Sequence, residues 1–85
     1  MKTPPHFNND LSKSELVIKK DVSLGYNDLL VGLIDICGHT HIQAEQCYFL
    51  ISNKGEYSVK MGDRISLESI QMEFTNMGIK SFIKN

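Results

Sequence analysis

"QCYFLISNKGEYSVKM", residues 46 to 61, decides how this chain folds. At its centre is a three-residue loop ending in glycine, Asn53-Lys54-Gly55. That loop suits a type I turn followed by a left-handed residue, a conformation glycine adopts without steric cost. Pairing outward from Ser52 opposite Glu56 sets Ile51 against Tyr57, Phe49 against Val59 and Cys47 against Met61, all on one apolar face. The other face, Ser52, Leu50 and Tyr48 against Glu56, Ser58 and Lys60, is mixed and partly wet. A slip of one residue would exchange the faces, so burying six side chains, at about 1.5 to 3 kcal/mol for each large one, opposes slippage. A helix through Ala44, Cys47, Tyr48 and Ile51 also has suitable spacing, and extended to the whole chain it gives an all-α helical bundle as the alternative. The glycine loop with alternation on both sides is the more specific pattern, and it predicts a β-hairpin.

The flanks supply the covers for such a hairpin. "YNDLLVGLIDICG" predicts a helix over 27 to 37, capped by Asn27 or Asp28 and ended by Gly38, with Leu29, Leu30, Leu33, Ile34 and Cys37 on one face. "SLESIQMEFTNMGI" predicts a second helix with Ser66 as N-cap and Gly78 as the left-handed residue past its end. Its apolar stripe is Leu67, Ile70, Phe74 and Met77. "ELVIKK" predicts a strand with Leu16 and Ile18 on one face, although Ser12 with Glu15 has the form of a capping box. After Gly78, "IKSFIKN" leaves room for a short last strand. The order is βαββα with a final β, an α+β two-layer sandwich in which helices cover one sheet face; the ferredoxin-like split βαβ is its most common version. Residues 1 to 12, with two prolines and Phe7 as the only large apolar anchor, are expected to form a flexible arm ahead of a single domain over 13 to 85.

Bulk properties exclude several function classes. At 85 residues, with 41% hydrophobic and 22% charged, the chain has the composition of one small globular domain. Nine Lys and Arg against ten Asp and Glu leave a net charge of −1, so no field draws it to phosphate, and nucleic acid is not an expected partner. "MKTPPHFNND" lacks the apolar run of an export signal, and "LLVGLIDIC" is too short to span a bilayer, so the expected location is the cytoplasm, with both cysteines as free thiols and no membrane partner.

Chemistry-bearing residues weigh little. Cys37, His39, His41 and Cys47 are zinc-type ligands, but they lack the paired short spacings of structural sites, and both cysteines are predicted inward, so no metal site is assigned. A reactive thiolate needs an accessible electropositive setting, which inward thiols do not have, so no catalytic residue is assigned and no enzyme is expected. The glycines are isolated and mostly placed at turns and caps, giving no phosphate cradle and no cofactor. Gly32, inside the first predicted helix, either marks close packing of that helix against the sheet or is simply tolerated at a cost of about 1 kcal/mol. The βαββ order is similar to that of the histidine phosphocarrier of bacterial sugar transport. That family carries its phosphorylated histidine where the first strand meets the first helix, and here Gly25-Tyr26-Asn27-Asp28 stands in that place, so the resemblance ends at topology.

What remains is association. Tyr48 and Leu50, on the outer sheet face with Lys60 opposite Tyr48, invite a partner protein or a second copy of this chain, through the patch or by strand addition at an open edge. The expected function is a small protein-interaction module, a regulator or inhibitor, with Tyr48, Leu50 and Lys60 as its contact residues. The alternatives are a dimeric small-molecule sensor and a nucleic-acid-binding regulator.

Overall fold

Strand β1, Lys13–Lys19, is the middle of a three-stranded antiparallel sheet. It pairs on one side with β2, Glu56–Asp63, and on the other with β3, Ser81–Lys84. Between β1 and β2 lie two helices, α1, Tyr26–Asp35, and α2, His41–Lys54; between β2 and β3 lies α3, Arg64–Asn76. This computed structural model describes residues 13–22 and 24–85, and the expected arm over 1 to 12 lies outside them. Both edge strands run against β1, so they are parallel to each other with α3 crossing between them, a split β-α-β arrangement. The α+β class is as expected; the observed order, βααβαβ, differs from the expected one at a single element.

That element is the first half of the proposed hairpin. Residues 46 to 54 are helical, and the tight reversal at Asn53-Lys54-Gly55 does not exist. Gly55 does have a left-handed backbone, φ 90°, but as the residue that ends α2, with its N–H donated to the Ile51 carbonyl at 2.9 Å. At the other end Thr40 and Gln43 form a reciprocal capping box: the Thr40 hydroxyl accepts from the Gln43 N–H at 3.1 Å, and the Gln43 side-chain oxygen accepts from the Thr40 N–H at 2.9 Å. Ala44, Cys47 and Ile51, at i, i+3 and i+7, are the buried stripe. The six side chains expected on one apolar face are therefore divided. Cys47, Ile51 and Val59 are buried and Tyr57 is half-buried, whereas Phe49 and Met61 are 59% and 62% exposed.

The second half of the hairpin, β2, pairs with β1. Leu16 opposes Lys60 and Val17 opposes Ser58, so Val59 is the extra residue of a β-bulge. The bulge interrupts strict alternation, which is why Val59 reaches the core while Met61 faces outward. Leu16 and Ile18 enter the core from β1, where they meet Leu29 and Leu33 of α1, Ile51 of α2, and Leu67 and Phe74 of α3; all seven are essentially inaccessible to solvent. All three helices thus serve one sheet face. Val17, Ser58 and Phe82 occupy the other, with the Lys19 ammonium 5.6 Å from the Phe82 ring centroid.

Helix starts differ from expectation in two places. The N-cap of α1 is Gly25, with no side-chain cap bond from Asn27 or Asp28. The N-cap of α3 is Asp63 and not Ser66; its carboxylate accepts from the Ser66 N–H at 3.1 Å and the Ser66 hydroxyl at 2.9 Å, bonds that hold it below the usual carboxylate range. The end of α3 follows the expected pattern. Gly78, φ 81°, donates to the Thr75 carbonyl and Ile79 to the Phe74 carbonyl, both at 2.9 Å, and Ile79 and Phe74 meet in the core. Because the Thr40 box is the principal start signal of α2, Thr40→Ala is expected to lower stability by about 1 kcal/mol and the melting temperature by about 4 to 8 °C. A thermal melt unchanged within a degree would show that tertiary packing alone sets the start of that helix.

Candidate functional site

Because residues 41 to 54 are helical, the expected contact residues do not share one surface. Tyr48 and Leu50 are two residues apart on a helix, about 200° around its axis, so they point to different sides. Lys60 stands on β2 opposite Leu16, with its ammonium 3.5 Å from the Cys37 carbonyl and not beside Tyr48. The three do not form one face. Tyr48 does belong to an exposed patch, but its companions come from α1 and from its own helix.

That patch is aromatic. The rings of Tyr26 and Tyr48 meet edge to face, centroids 4.9 Å apart at 87°, and Tyr48 meets Phe49 at 6.2 Å and 70°. Tyr48 is half-buried and lies against the core, so it anchors the cluster, while Tyr26 and Phe49 are exposed. One turn before Tyr48, Glu45 accepts a hydrogen bond from the Tyr26 hydroxyl at 2.7 Å, and its second oxygen lies 3.7 Å from His41 Nδ1. Bonding to Glu45 holds the Tyr26 phenol proton above its ordinary pKa. Exposed Ile42, seven residues before Phe49, extends the apolar surface along α2. Read as helix, the sequence shows this face directly: Ile42, Glu45 and Phe49 recur at i, i+3 and i+7.

The cysteine and histidine cluster comes apart. Cys37 and Cys47 are both buried free thiols, and among the described residues no group of three or more His, Cys, Asp or Glu side chains is placed to hold a metal ion. His41 is exposed in the first turn of α2. His39 instead donates from Nε2 to the Val59 carbonyl at 2.7 Å, so the loop between α1 and α2 closes over the bulge of edge strand β2. Burial pushes the Cys37 thiol up to about 11, opposed by the Lys60 charge, and burial also raises Cys47. At pH 8 the Cys37 thiolate is then a fraction on the order of 1 in 1000, so a thiol reagent is expected to label native protein far more slowly than urea-unfolded protein. Because the folded pKa lies above the unfolded one, this thiol's contribution to stability is complete below about pH 8.5 and is lost as pH rises toward 11. Labelling of both thiols within seconds in native buffer would contradict the burial.

Fold and patch together define a small α+β domain with a three-stranded antiparallel sheet, three helices on one face and an exposed aromatic surface where α1 meets α2. Neither a family model nor a curated relative matches the sequence. Among solved structures, the fold is similar to that of Agrobacterium tumefaciens ClpS2 bound to L-phenylalaninamide. The TM-score is 0.81, covering 86% of this chain and 95% of that one, at 13% identity. No helix among the described residues is long and apolar enough to cross a membrane.

Proposed function

We propose that this chain is a protein-binding module that holds a segment of its partner against the aromatic face of α1 and α2, and that it regulates that partner in the cytoplasm by occupancy and not by catalysis. The observation that carries this reading is the exposed aromatic cluster of Tyr26, Tyr48 and Phe49 with the Glu45 carboxylate at its rim. Ring surfaces receive an apolar or aromatic side chain, and the carboxylate favours a neighbouring cation. L-phenylalaninamide, the ligand of the similar ClpS2 structure, combines a benzyl group with a primary amine, the chemistry this face is suited to. Both thiols lie inside the core and are held protonated, which supports binding over nucleophilic chemistry.

An NMR titration with L-phenylalaninamide and with a short peptide carrying phenylalanine beside a free amine tests the reading. Shifts are expected at Tyr26, Glu45, Tyr48 and Phe49, with a Kd on the order of 1 mM for the small amide. Phe49→Ala, on an exposed position, is expected to weaken binding about three- to tenfold without changing the melt. Shifts confined to other surfaces, or equal affinity in the variant, would refute it.

A further inference from the structure

Two hollows adjoin along α3. One, about 280 Å³, lies between α1 and α3, with Val31, Asp35, Glu73, Asn76 and Met77 in its walls. The other, about 490 Å³, follows α3 past Ile65, Glu68 and Met72 and shares Glu73 and Asn76 with the first. Val31, Ile65 and Met72 are 51%, 78% and 67% exposed, so apolar side chains floor a groove that is open to water. Every charged residue in its walls is acidic: Asp35, Glu68 and Glu73.

The positions of those acids add a second argument. Asp35 is the last residue of α1 and Glu73 lies in the last turn of α3, neither turn contains a basic residue, and a carboxylate at the negative end of a helix is disfavoured by its dipole. Glu68 is paired with Arg64 at 3.4 Å, whereas Asp35 and Glu73 have no ion-pair partner among the described residues. Two helix C-termini and two unpaired carboxylates therefore direct negative potential into one apolar groove. We infer that this groove docks a basic amphipathic segment of a partner protein, whose apolar side chains rest on Val31, Met72 and Met77 while its Lys or Arg side chains meet Asp35 and Glu73. The part of α3 that lines the groove, Ile65 to Asn76, rises about 16 Å, the length of about eleven helical residues. This docking surface is separate from the aromatic face and does not depend on it.

The test is fluorescence anisotropy with a labelled peptide of about 14 residues that carries Leu and Lys at helical spacing, beside a counterpart with Glu in place of Lys. Saturable binding of the lysine peptide is expected, weakening about tenfold between 50 and 200 mM salt. The Asp35→Lys, Glu73→Lys double variant changes only exposed positions and is expected to bind about tenfold more weakly with a native circular dichroism spectrum. Val31→Ser is expected to weaken binding several-fold with the charges intact, and Phe49→Ala to bind as the wild type does. No saturable binding, equal affinity for the glutamate peptide, or full affinity in both groove variants would overturn the proposal. Concentration-dependent self-association abolished by Val31→Ser would overturn it too, by showing that the occupant is a second copy.

Discussion

Phe74→Ala is expected to lower the stability of this chain by about 3 to 5 kcal/mol, the range found when a fully enclosed aromatic side chain is deleted. A domain of this length has about 4 to 13 kcal/mol in total, so the variant is expected to be partly or wholly unfolded at 37 °C. Two observations place the expected loss at the upper end of the range. The ring is inaccessible to solvent, and its Cε1 lies 2.9 Å from where a Cβ on Gly32 would stand, so α1 and α3 close tightly around it. Phe74→Leu retains most of the apolar volume and is expected to cost less than half as much. Urea denaturation monitored by circular dichroism measures both. An alanine variant whose midpoint stays within about 0.5 M of the wild type would show that the core closes without this ring.

The parts of the fold that could be read in the sequence are those with only one physical solution. In α3, Leu67 and Phe74 of the expected stripe are buried and the left-handed Gly78 stands past the helix end, although Ile70 is only half-buried and Met77 is exposed; Leu16 with Ile18 marks one face of β1. The stretch from Gln46 to Lys54 had two solutions. A hairpin bulge and a helix C-terminus both need a residue with positive φ, so Gly55 satisfies either, and Cys47, Phe49 and Ile51 alternate by two while Ala44, Cys47 and Ile51 repeat by three to four. The deciding signal was the Thr40 and Gln43 box seven residues upstream of Cys47, a pattern of hydrogen bonds and not of hydrophobicity. The bulge at Val59 has no sequence signature in this chain, because the strand it interrupts has no proline and its one glycine, Gly62, stands three residues further on.

The candidate site was legible in part for the same reason. Read as a strand residue, Tyr48 lies on the outer sheet face; in the helix it is half-buried against the core, with Tyr26 and Phe49 exposed beside it. The side chains beside it depend on whether neighbours on the chain alternate or wind. As a strand, Tyr48 would face Lys60; as a helix it faces Tyr26 and lies one turn from Glu45. The contact to Tyr26 joins two helices across 22 residues of sequence and follows only from their packing. At Gly32 the intrinsic cost of a helical glycine points to close packing or to toleration; the close approach exists, but against Phe74 of α3 and not against the sheet, which only the packing of the helices decides.

Gly32→Leu carries the second large expected effect, a net loss of about 2 kcal/mol. An ideal Cβ at this position would lie 2.9 Å from Phe74 Cε1 and 3.3 Å from Met77 Sδ. The methionine sulfur ends a flexible, partly exposed side chain and can move away. The phenylalanine ring is enclosed on all sides and cannot, so α1 and α3 must separate or the ring must leave its rotamer. Overpacking of this kind costs about 3 kcal/mol at the upper end, and the better helix propensity of leucine offsets about 1 kcal/mol of it. Alanine sets the two effects almost in balance, so Gly32→Ala is expected to be destabilising by less than about 1 kcal/mol, even though an exposed helical glycine gains stability from that change. Shortening the ring separates the two contributions. In the Gly32→Ala, Phe74→Leu double variant the clash is gone while the propensity gain remains, so the double variant is expected to be more stable than the sum of its single changes by about 1 kcal/mol. Strict additivity in denaturant melts, or a Gly32→Leu protein as stable as the wild type, would mean that α1 and α3 do not meet at this glycine.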